Sequence, residues 1–214
     1  VQVQMGLVGM LRKDTPLPTA PTASQYAYDN LPYDHEVALV LSEVDPALHS
    51  TVSTAGGSLP PATSTLNYAP TYFRLHRYGS AVNGATAEEI TATPSRVPLN
   101  VPSGQRMLLR ALNAGLQSRS LMIDDGHVFL AAEDGNKFPY AREQVTTLLA
   151  AAKTADLWFT PVAGSAPRVL TVFDRRLDLT NNNGDAVGGM LAQMKVMDFT
   201  NAPSITLAGC ASTG

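Results

Sequence analysis

The sequence predicts an all-β sandwich with Greek-key connections, and three observations indicate this fold. Charged residues make up only 15% of the 214 residues, against about 25% in a typical soluble domain, and Thr, Ser, Ala, Gly and Pro take their place. Short apolar runs with a two-residue alternation recur along the chain, as in strands with one buried face. Turn signals such as Asn183-Gly184 separate these runs. Together they predict about eight short strands in two packed sheets.

The first 34 residues are predicted to lie apart from the main body. Residues 1–14 contain an isolated strand over 1–11, where apolar and polar residues alternate before a continuous apolar run. Residues 15–34 carry four prolines, which fix φ and remove backbone donors, so this segment is expected to be an extended linker. The strand is therefore either the end of a preceding domain or a strand for exchange.

The body is predicted to span residues 35–200, with a tail over 201–214. Its predicted strands are residues 35–44, 72–76, 106–113, 121–123, 127–132, 155–160, 169–174 and 190–199. Residues 50–70 are rich in Ser, Thr, Gly and Pro, and predict a long surface loop. Residues 144–152 are ambiguous, because their apolar spacing fits a helix while Thr146 and Thr147 favour a strand; the residues alone favour the helix.

Charge and hydropathy argue against a nucleic-acid partner and a membrane span. The cysteine count does not indicate the cellular location, which is inferred from composition. The net charge is −3 with both signs scattered, so no nucleic-acid partner is expected. No run of 18 apolar residues occurs, so no membrane span is predicted. Cys210 is the single cysteine and cannot form an intrachain disulfide. Few Lys and Glu residues beside many Thr and Ser residues are typical of exported proteins, which favours an extracellular or periplasmic location.

The metal-binding residue types are too few and too scattered to predict a site. The histidines are His35, His49, His76 and His127, and none lies within four residues of another. A copper centre that joins two imidazoles and one thiolate would have to recruit Cys210, near the end of the sequence. No catalytic, cofactor-binding or metal-binding residue is therefore predicted.

The acidic clusters have structural interpretations. Asp124-Asp125 and Glu133-Asp134 are adjacent pairs that point apart on a strand or turn, and turn formation explains them. Residues 178–185 offer oxygen ligands but lack the full calcium-loop pattern. Residues 174–178 are interpreted as a salt-bridged strand end.

Several segments resemble multicopper oxidases, in the order found in that family. Residues 1–11 resemble the last strand of the family's first domain, residues 35–45 the opening strand of its second domain, and residues 104–135 its central strands. The best-matched points of the last are Leu109-Arg110-Ala111-Leu112-Asn113-Ala114 and Gly126-His127. Residues 139–159 and 188–191 fit later strands. The chain is thus identified as the second, middle domain, preceded by one strand of the first.

The resemblance implies a cupredoxin-like Greek-key sandwich, with a strand in place of the helix around residues 144–150. It also implies a domain that holds no copper, because the middle domain spaces the two that do. Copper is expected in the full-length parent, which would couple oxidation of phenols or metal ions to dioxygen reduction. The chain alone is not expected to be catalytic. The expected partners are other domains of the parent or identical copies.

A second hypothesis is a structural subunit. Residues 1–11 could add to the sheet edge of a neighbouring copy and propagate head-to-tail into a filament or matrix. A homo-oligomer is then expected, provided that the chain is a mature species.

Overall fold

The computed structural model of the protein describes residues 3, 7–11, 25–56, 68–79, 99–124, 126–164, 166–179 and 189–198. The side chains of residues 25, 76–79 and 99 are not among the described features. The predicted tail, Cys210, Asp125 and the Asn183-Gly184 turn lie outside the described residues. Within these ranges, no helix has the length and apolar character needed to cross a lipid bilayer.

The prediction of an all-β fold is confirmed. The elements are β1 (Gln25–Tyr28), β2 (Leu31–Tyr33), β3 (His35–Val44), α1 (Pro46–Thr54), β4 (Tyr72–Gly79), β5 (Leu99–Pro102), β6 (Met107–Asn113), β7 (Arg119–Ile123), β8 (Val128–Glu133), β9 (Asn136–Gln144), β10 (Thr146–Leu149), β11 (Thr154–Phe159), β12 (Arg168–Asp174) and β13 (Leu191–Met197).

Two large sheets form the sandwich. The six-stranded sheet has the order β4-β3-β6-β11-β8-β9, and the five-stranded sheet has the order β10-β7-β12-β13-β5. Strands β3 and β6 are parallel, as are β13 and β5. Inward side chains of both sheets meet in one core, which includes Leu39, Leu109 and Leu157 from one sheet and Leu121 and Leu170 from the other. Each such leucine contributes about 1.5–3 kcal/mol by leaving water.

The strand predicted by resemblance around residues 144–150 is confirmed, and the helix favoured by the residues alone is wrong. Residues Thr146–Leu149 form β10 and pair antiparallel with β7. Burial along β10 has a period of two, since Thr147 and Leu149 are buried while Leu148 is 66% exposed. A helix would have placed Leu148 and Leu149 on one face.

Part of the predicted linker is a hairpin. Strands β1 and β2 pair antiparallel around a turn at Asp29 and Asn30, and Asn30 has a φ of 67°, which asparagine tolerates better than most residues. Pro32 is accommodated because a two-stranded ribbon leaves one edge of each strand without a ladder partner. The prediction of an extended linker is therefore wrong over residues 25–33.

The predicted loop over residues 50–70 begins inside a helix. Asp45 caps α1, since its Oδ1 accepts hydrogen bonds from the backbone N–H of Ala47 at 2.9 Å and of Leu48 at 3.2 Å. Pro46 occupies the first turn, where a missing N–H costs nothing.

The described part of the predicted N-terminal strand is not a strand. Residues 7–11 have no regular secondary structure, and Leu7 and Leu11 are 70% and 96% exposed. A strand requires a hydrogen-bonded neighbour, and none of the described strands pairs with these residues.

Candidate functional site

The described imidazoles occupy separate places in the fold. His35 begins β3 and its Nε2 contacts the side-chain oxygen of Gln105. His49 lies on α1. His127 precedes β8, is largely exposed, and its Nδ1 lies 2.8 Å from Glu143 Oε1. Among the residues that the structure describes, no group of three His, Cys, Asp or Glu side chains is placed to hold a metal ion.

The predicted turn role of the acidic pairs agrees with the hydrogen bonds of their described members. Asp124 Oδ1 accepts from the backbone N–H of Thr171 at 2.9 Å. Asp134 Oδ1 accepts from the backbone N–H of Thr154 at 3.0 Å, and its Oδ2 contacts Lys153. The hydrogen bond from Lys153, together with that from Thr154, lowers the pKa of Asp134. Asp124 and Asp134 both lie in turns, and their carboxylates tie those turns to strands β12 and β11.

A buried ionic cluster joins the two sheets at one end of the sandwich. Arg119 on β7 is fully buried and its guanidinium contacts Glu43 of β3 in the other sheet. Its Nη1 donates to Asp174 Oδ2 at 3.0 Å and to Asp178 Oδ2 at 2.5 Å. Its Cζ lies 5.0 Å from the ring centroid of Phe73. We call Glu43, Arg119, Asp174 and Asp178 the Arg119 cluster.

The predicted salt-bridged strand end over residues 174–178 is therefore confirmed, but with a partner that the sequence did not reveal. Arg119 supplies most of the contacts, whereas the neighbouring Arg176 reaches Asp178 only at 3.9 Å. Burial acts to lower the pKa of Arg119, but its hydrogen bonds to Glu43, Asp174 and Asp178 outweigh this and raise it.

The loop after β6 encloses the Glu43 carboxylate. Glu43 Oε1 accepts from the backbone N–H groups of Leu116 and Gln117, both at 2.9 Å, and from the Tyr68 hydroxyl at 2.8 Å. A Cβ atom added at Gly115 would lie 2.9 Å from Glu43 Cδ. Glycine is therefore required at this position, because the backbone passes against a fixed side chain.

A second ionic cluster lies on the outer face of the six-stranded sheet. Arg110 Nε lies 3.1 Å from Glu36 Oε1, and Arg110 Nη1 lies 3.8 Å from Asp156 Oδ2. Asp156 also accepts a hydrogen bond of 2.5 Å from the hydroxyl of Tyr28 on β1. Burial raises the pKa of Asp156. Burial, with the hydrogen bond to Asp156, also raises the pKa of Tyr28. We call Tyr28, Glu36, Arg110 and Asp156 the Arg110 cluster.

One row of side chains on the outer face of the five-stranded sheet is apolar and partly exposed. Phe173 on β12 lies between Met122 on β7 and Leu191 on β13, its cross-strand neighbours, and all three are partly exposed. Leu148 and Val169 on the same sheet are 66% and 44% exposed. Such a face fits contact with another protein surface.

The described residues therefore offer two ion clusters and an apolar packing surface. The sequence predicts the salt-bridged strand end over residues 174–178, but neither its partners Arg119 and Glu43 nor the Arg110 cluster. One signal was present, because Arg119 falls in phase with the inward Leu121 and Ile123 on β7, and a charge at a core position requires a buried partner.

The fold is similar to that of several solved copper oxidases. A blue copper oxidase from Nitrosomonas europaea matches with a TM-score of 0.55 and 17% identity, over 77% of this chain and 44% of that one. The multicopper oxidase mgLAC matches with a TM-score of 0.55 and 15% identity, over 83% and 47%. The laccase from Botrytis aclada matches with a TM-score of 0.50 and 17% identity, over 86% and 32%.

These similarities confirm the predicted cupredoxin-like sandwich. The chain spans less than half the length of each of these three structures. No protein-family profile matches the sequence, and no curated protein matches it.

Proposed function

We propose that the chain is a cupredoxin-like domain of a longer, exported multicopper oxidase-like protein, and that it contributes packing surface and no copper ligand. The observation that carries this proposal is the fold, shared with copper oxidases over 77–86% of the chain but under half of theirs. The parent would couple oxidation of phenols or metal ions to reduction of dioxygen. Catalysis would depend on its other domains.

The described donor atoms support the absence of copper ligation. A type 1 copper centre needs two imidazole nitrogens and a thiolate within one coordination sphere. The described imidazoles lie on separate elements, and those of His35 and His127 contact Gln105 and Glu143. The described part of the chain does not fit such a centre.

The described surfaces support a packing role. The outer face of the five-stranded sheet presents Met122, Phe173 and Leu191 as a continuous row, where a neighbouring domain of the parent would bury apolar surface. Within the Arg119 cluster, the side chains of Arg119, Glu43 and Asp174 are fully buried between the sheets, so these three charges are not available to a substrate.

Copper titration tests the proposal. The purified 214-residue chain would be incubated with Cu(II), passed over a desalting column, and examined by metal analysis and electron paramagnetic resonance. We expect far less than one bound copper per chain and the same result for a His127→Asn control. Stoichiometric copper, or the absorbance and paramagnetic signal of a blue centre, would contradict the non-liganding role.

A separate measurement tests the existence of a parent. An antibody raised against the folded chain would be used to isolate the natural product for intact-mass analysis and copper determination. We expect a longer, copper-containing species. A natural species no longer than the chain and free of copper would reject the domain proposal and favour the structural alternative.

The alternative is a structural subunit that assembles head-to-tail through residues 1–11. The observation that favours it is the exposure of Leu7 and Leu11, because apolar side chains so exposed are suited to a partner's sheet edge. Deleting residues 1–11 should reduce assembly size in light scattering. The paired substitutions Leu7→Asp and Leu11→Asp in the full chain should have the same effect. Assemblies of unchanged size would exclude this segment as the connector.

A further inference from the structure

The β1–β2 hairpin is a unit of its own on the outer face of the six-stranded sheet. Its two strands pair with each other and form a separate two-stranded sheet. Its apolar contacts form a cluster distinct from the core between the sheets, in which Ala27, Leu31 and Tyr33 pack on Leu108 and Ala131. An isolated hairpin is at best marginally stable in water, so this one depends on the surface beneath it.

A few polar contacts fasten the hairpin to that surface. The Tyr28 hydroxyl donates to Asp156 Oδ2 at 2.5 Å. At the turn, Lys137 Nζ contacts the carbonyl oxygen of Asp29. At the other end, Arg106 Nη1 donates to the carbonyl oxygen of Pro32 at 3.2 Å. Of these, the contact between Tyr28 and Asp156 is the one that joins the hairpin to the buried Arg110 cluster.

A single residue connects the hairpin to the sandwich. Asp34 lies between β2 and β3, and its backbone N–H donates to Arg106 O at 3.0 Å. Its Oδ2 accepts from the Arg106 backbone N–H at 2.7 Å. Because both the backbone and the side chain of Asp34 are bonded to Arg106, a movement of the hairpin would pivot at Asp34 while β3 keeps its place in the sheet.

The surface beneath the hairpin contains Trp158, the only tryptophan of the chain. Its ring stacks on Phe129 with centroids 4.2 Å apart, and Arg106 Cζ lies 4.5 Å from its centroid. Its Nε1 is buried and has no hydrogen-bond partner within the described part of the chain. A buried N–H without a partner disfavours the closed arrangement relative to one that water can reach.

We propose that the β1–β2 hairpin is a hinged cover that opens at Asp34 as a unit, before the sandwich unfolds, and that the contact between Tyr28 and Asp156 holds it closed. The open cover exposes Trp158 and the Arg110 cluster to solvent. The proposal stands whether or not a copper-containing parent exists, because it concerns the described hairpin and sheet only.

Hydrogen exchange with increasing low concentrations of denaturant tests the proposal on the unmodified chain. We expect the amides of β1 and β2 to exchange through an opening that depends weakly on denaturant, well before the amides of β6 and β11. If the amides of all four strands exchange through one opening with the same denaturant dependence, the hairpin is an integral part of the sandwich and the proposal is wrong.

A Tyr28→Phe variant tests the fastening. Loss of the hydrogen bond should raise the opening equilibrium of the hairpin about tenfold and leave the exchange of β6 unchanged. Acrylamide quenching of Trp158 fluorescence should increase in parallel. Tyr140→Phe, at an 86% exposed tyrosine, is the matched control and should alter neither. Unchanged quenching in Tyr28→Phe, or equally faster exchange in β1 and β6, would overturn the role of this contact.

Discussion

Replacing Arg119 by methionine should destabilise the protein more than any other single charge removal. The side chain is fully buried and contacts three carboxylates, of which those of Glu43 and Asp174 are also fully buried. Methionine fills similar space without charge, so the variant isolates the loss of the guanidinium. Breaking a buried ion pair from one side costs about 3–5 kcal/mol, because the remaining charge stays buried without compensation.

The free energy of unfolding would be measured by urea denaturation and the midpoint by calorimetry. For a chain of this size, a loss of about 3–5 kcal/mol corresponds to a decrease of about 6–20 °C in the melting temperature. Arg176→Met is the matched control, since Arg176 is half-exposed and lies 3.9 Å from Asp178. The decrease in the free energy of unfolding for Arg176→Met should remain below about 1 kcal/mol.

A double substitution separates charge from packing. If the buried carboxylate is the cause, Glu43→Gln combined with Arg119→Met should lose less stability than the sum of the two single changes. A loss below about 1 kcal/mol for Arg119→Met alone would refute the argument that this cluster holds the sheets together.

Three further changes follow from the same structure. Gly115→Ala should lose about 1–3 kcal/mol in urea denaturation, because its Cβ would lie 2.9 Å from Glu43 Cδ, whereas Gly164→Ala, with open space around it, should be neutral. Asp45→Ala should lose about 0.5–2 kcal/mol of helix capping. Because backbone hydrogen bonds outweigh burial and lower the pKa of Asp45 in the folded state, its contribution should be present above about pH 4 and vanish on acidification. Burial raises the pKa of Asp156 in the folded state, so the stability of the wild type should fall as the pH rises from the ordinary carboxyl pKa of about 4 to that raised pKa. Asp156→Asn should remove this dependence, and unfolding curves measured from about pH 4 upwards compare the two.

The strands of the core were predictable because their side chains alternate between core and solvent. The predicted ranges 155–160 and 169–174 differ from β11 (Thr154–Phe159) and β12 (Arg168–Asp174) by no more than one residue at each end. In β12 the even-numbered Leu170 and Val172 are buried, which is the pattern that a two-residue period detects. Residues 144–150 needed the family resemblance, since four residues of strand contain too few periods to exclude a helix.

The helix α1 and the β1–β2 hairpin have local signals in the sequence that the predictions do not use. Asp45 and Pro46 form a capping residue followed by a first-turn proline, which predicts a helix start, but the Ser-rich and Thr-rich residues beyond suggested a loop. Asp29 and Asn30 are turn formers between two short runs, but the prolines nearby suggested an extended linker. In both places the composition of the segment indicates the wrong structure, whereas the positions of the capping and turn residues indicate the right one.

The ion clusters lay beyond prediction because their partners are far apart in sequence. Glu43 and Arg119 are separated by 76 residues, and Arg119 and Asp174 by 55. Only the fold brings them together. The in-phase position of Arg119 on β7 indicates that a partner must exist and leaves that partner unidentified.

The clusters also explain how a chain so poor in charge defines one register. A strand that slips by two residues keeps each side chain on the same face of the sheet, so apolar alternation alone does not distinguish the two registers. A slip of β7 by two residues would place Arg119 away from Glu43 and Asp174 and leave buried charges without partners, at a cost of several kcal/mol. Six of the seven described buried charged residues belong to the two clusters, so buried charge lies where it distinguishes the correct pairing of strands and sheets from its nearest alternatives.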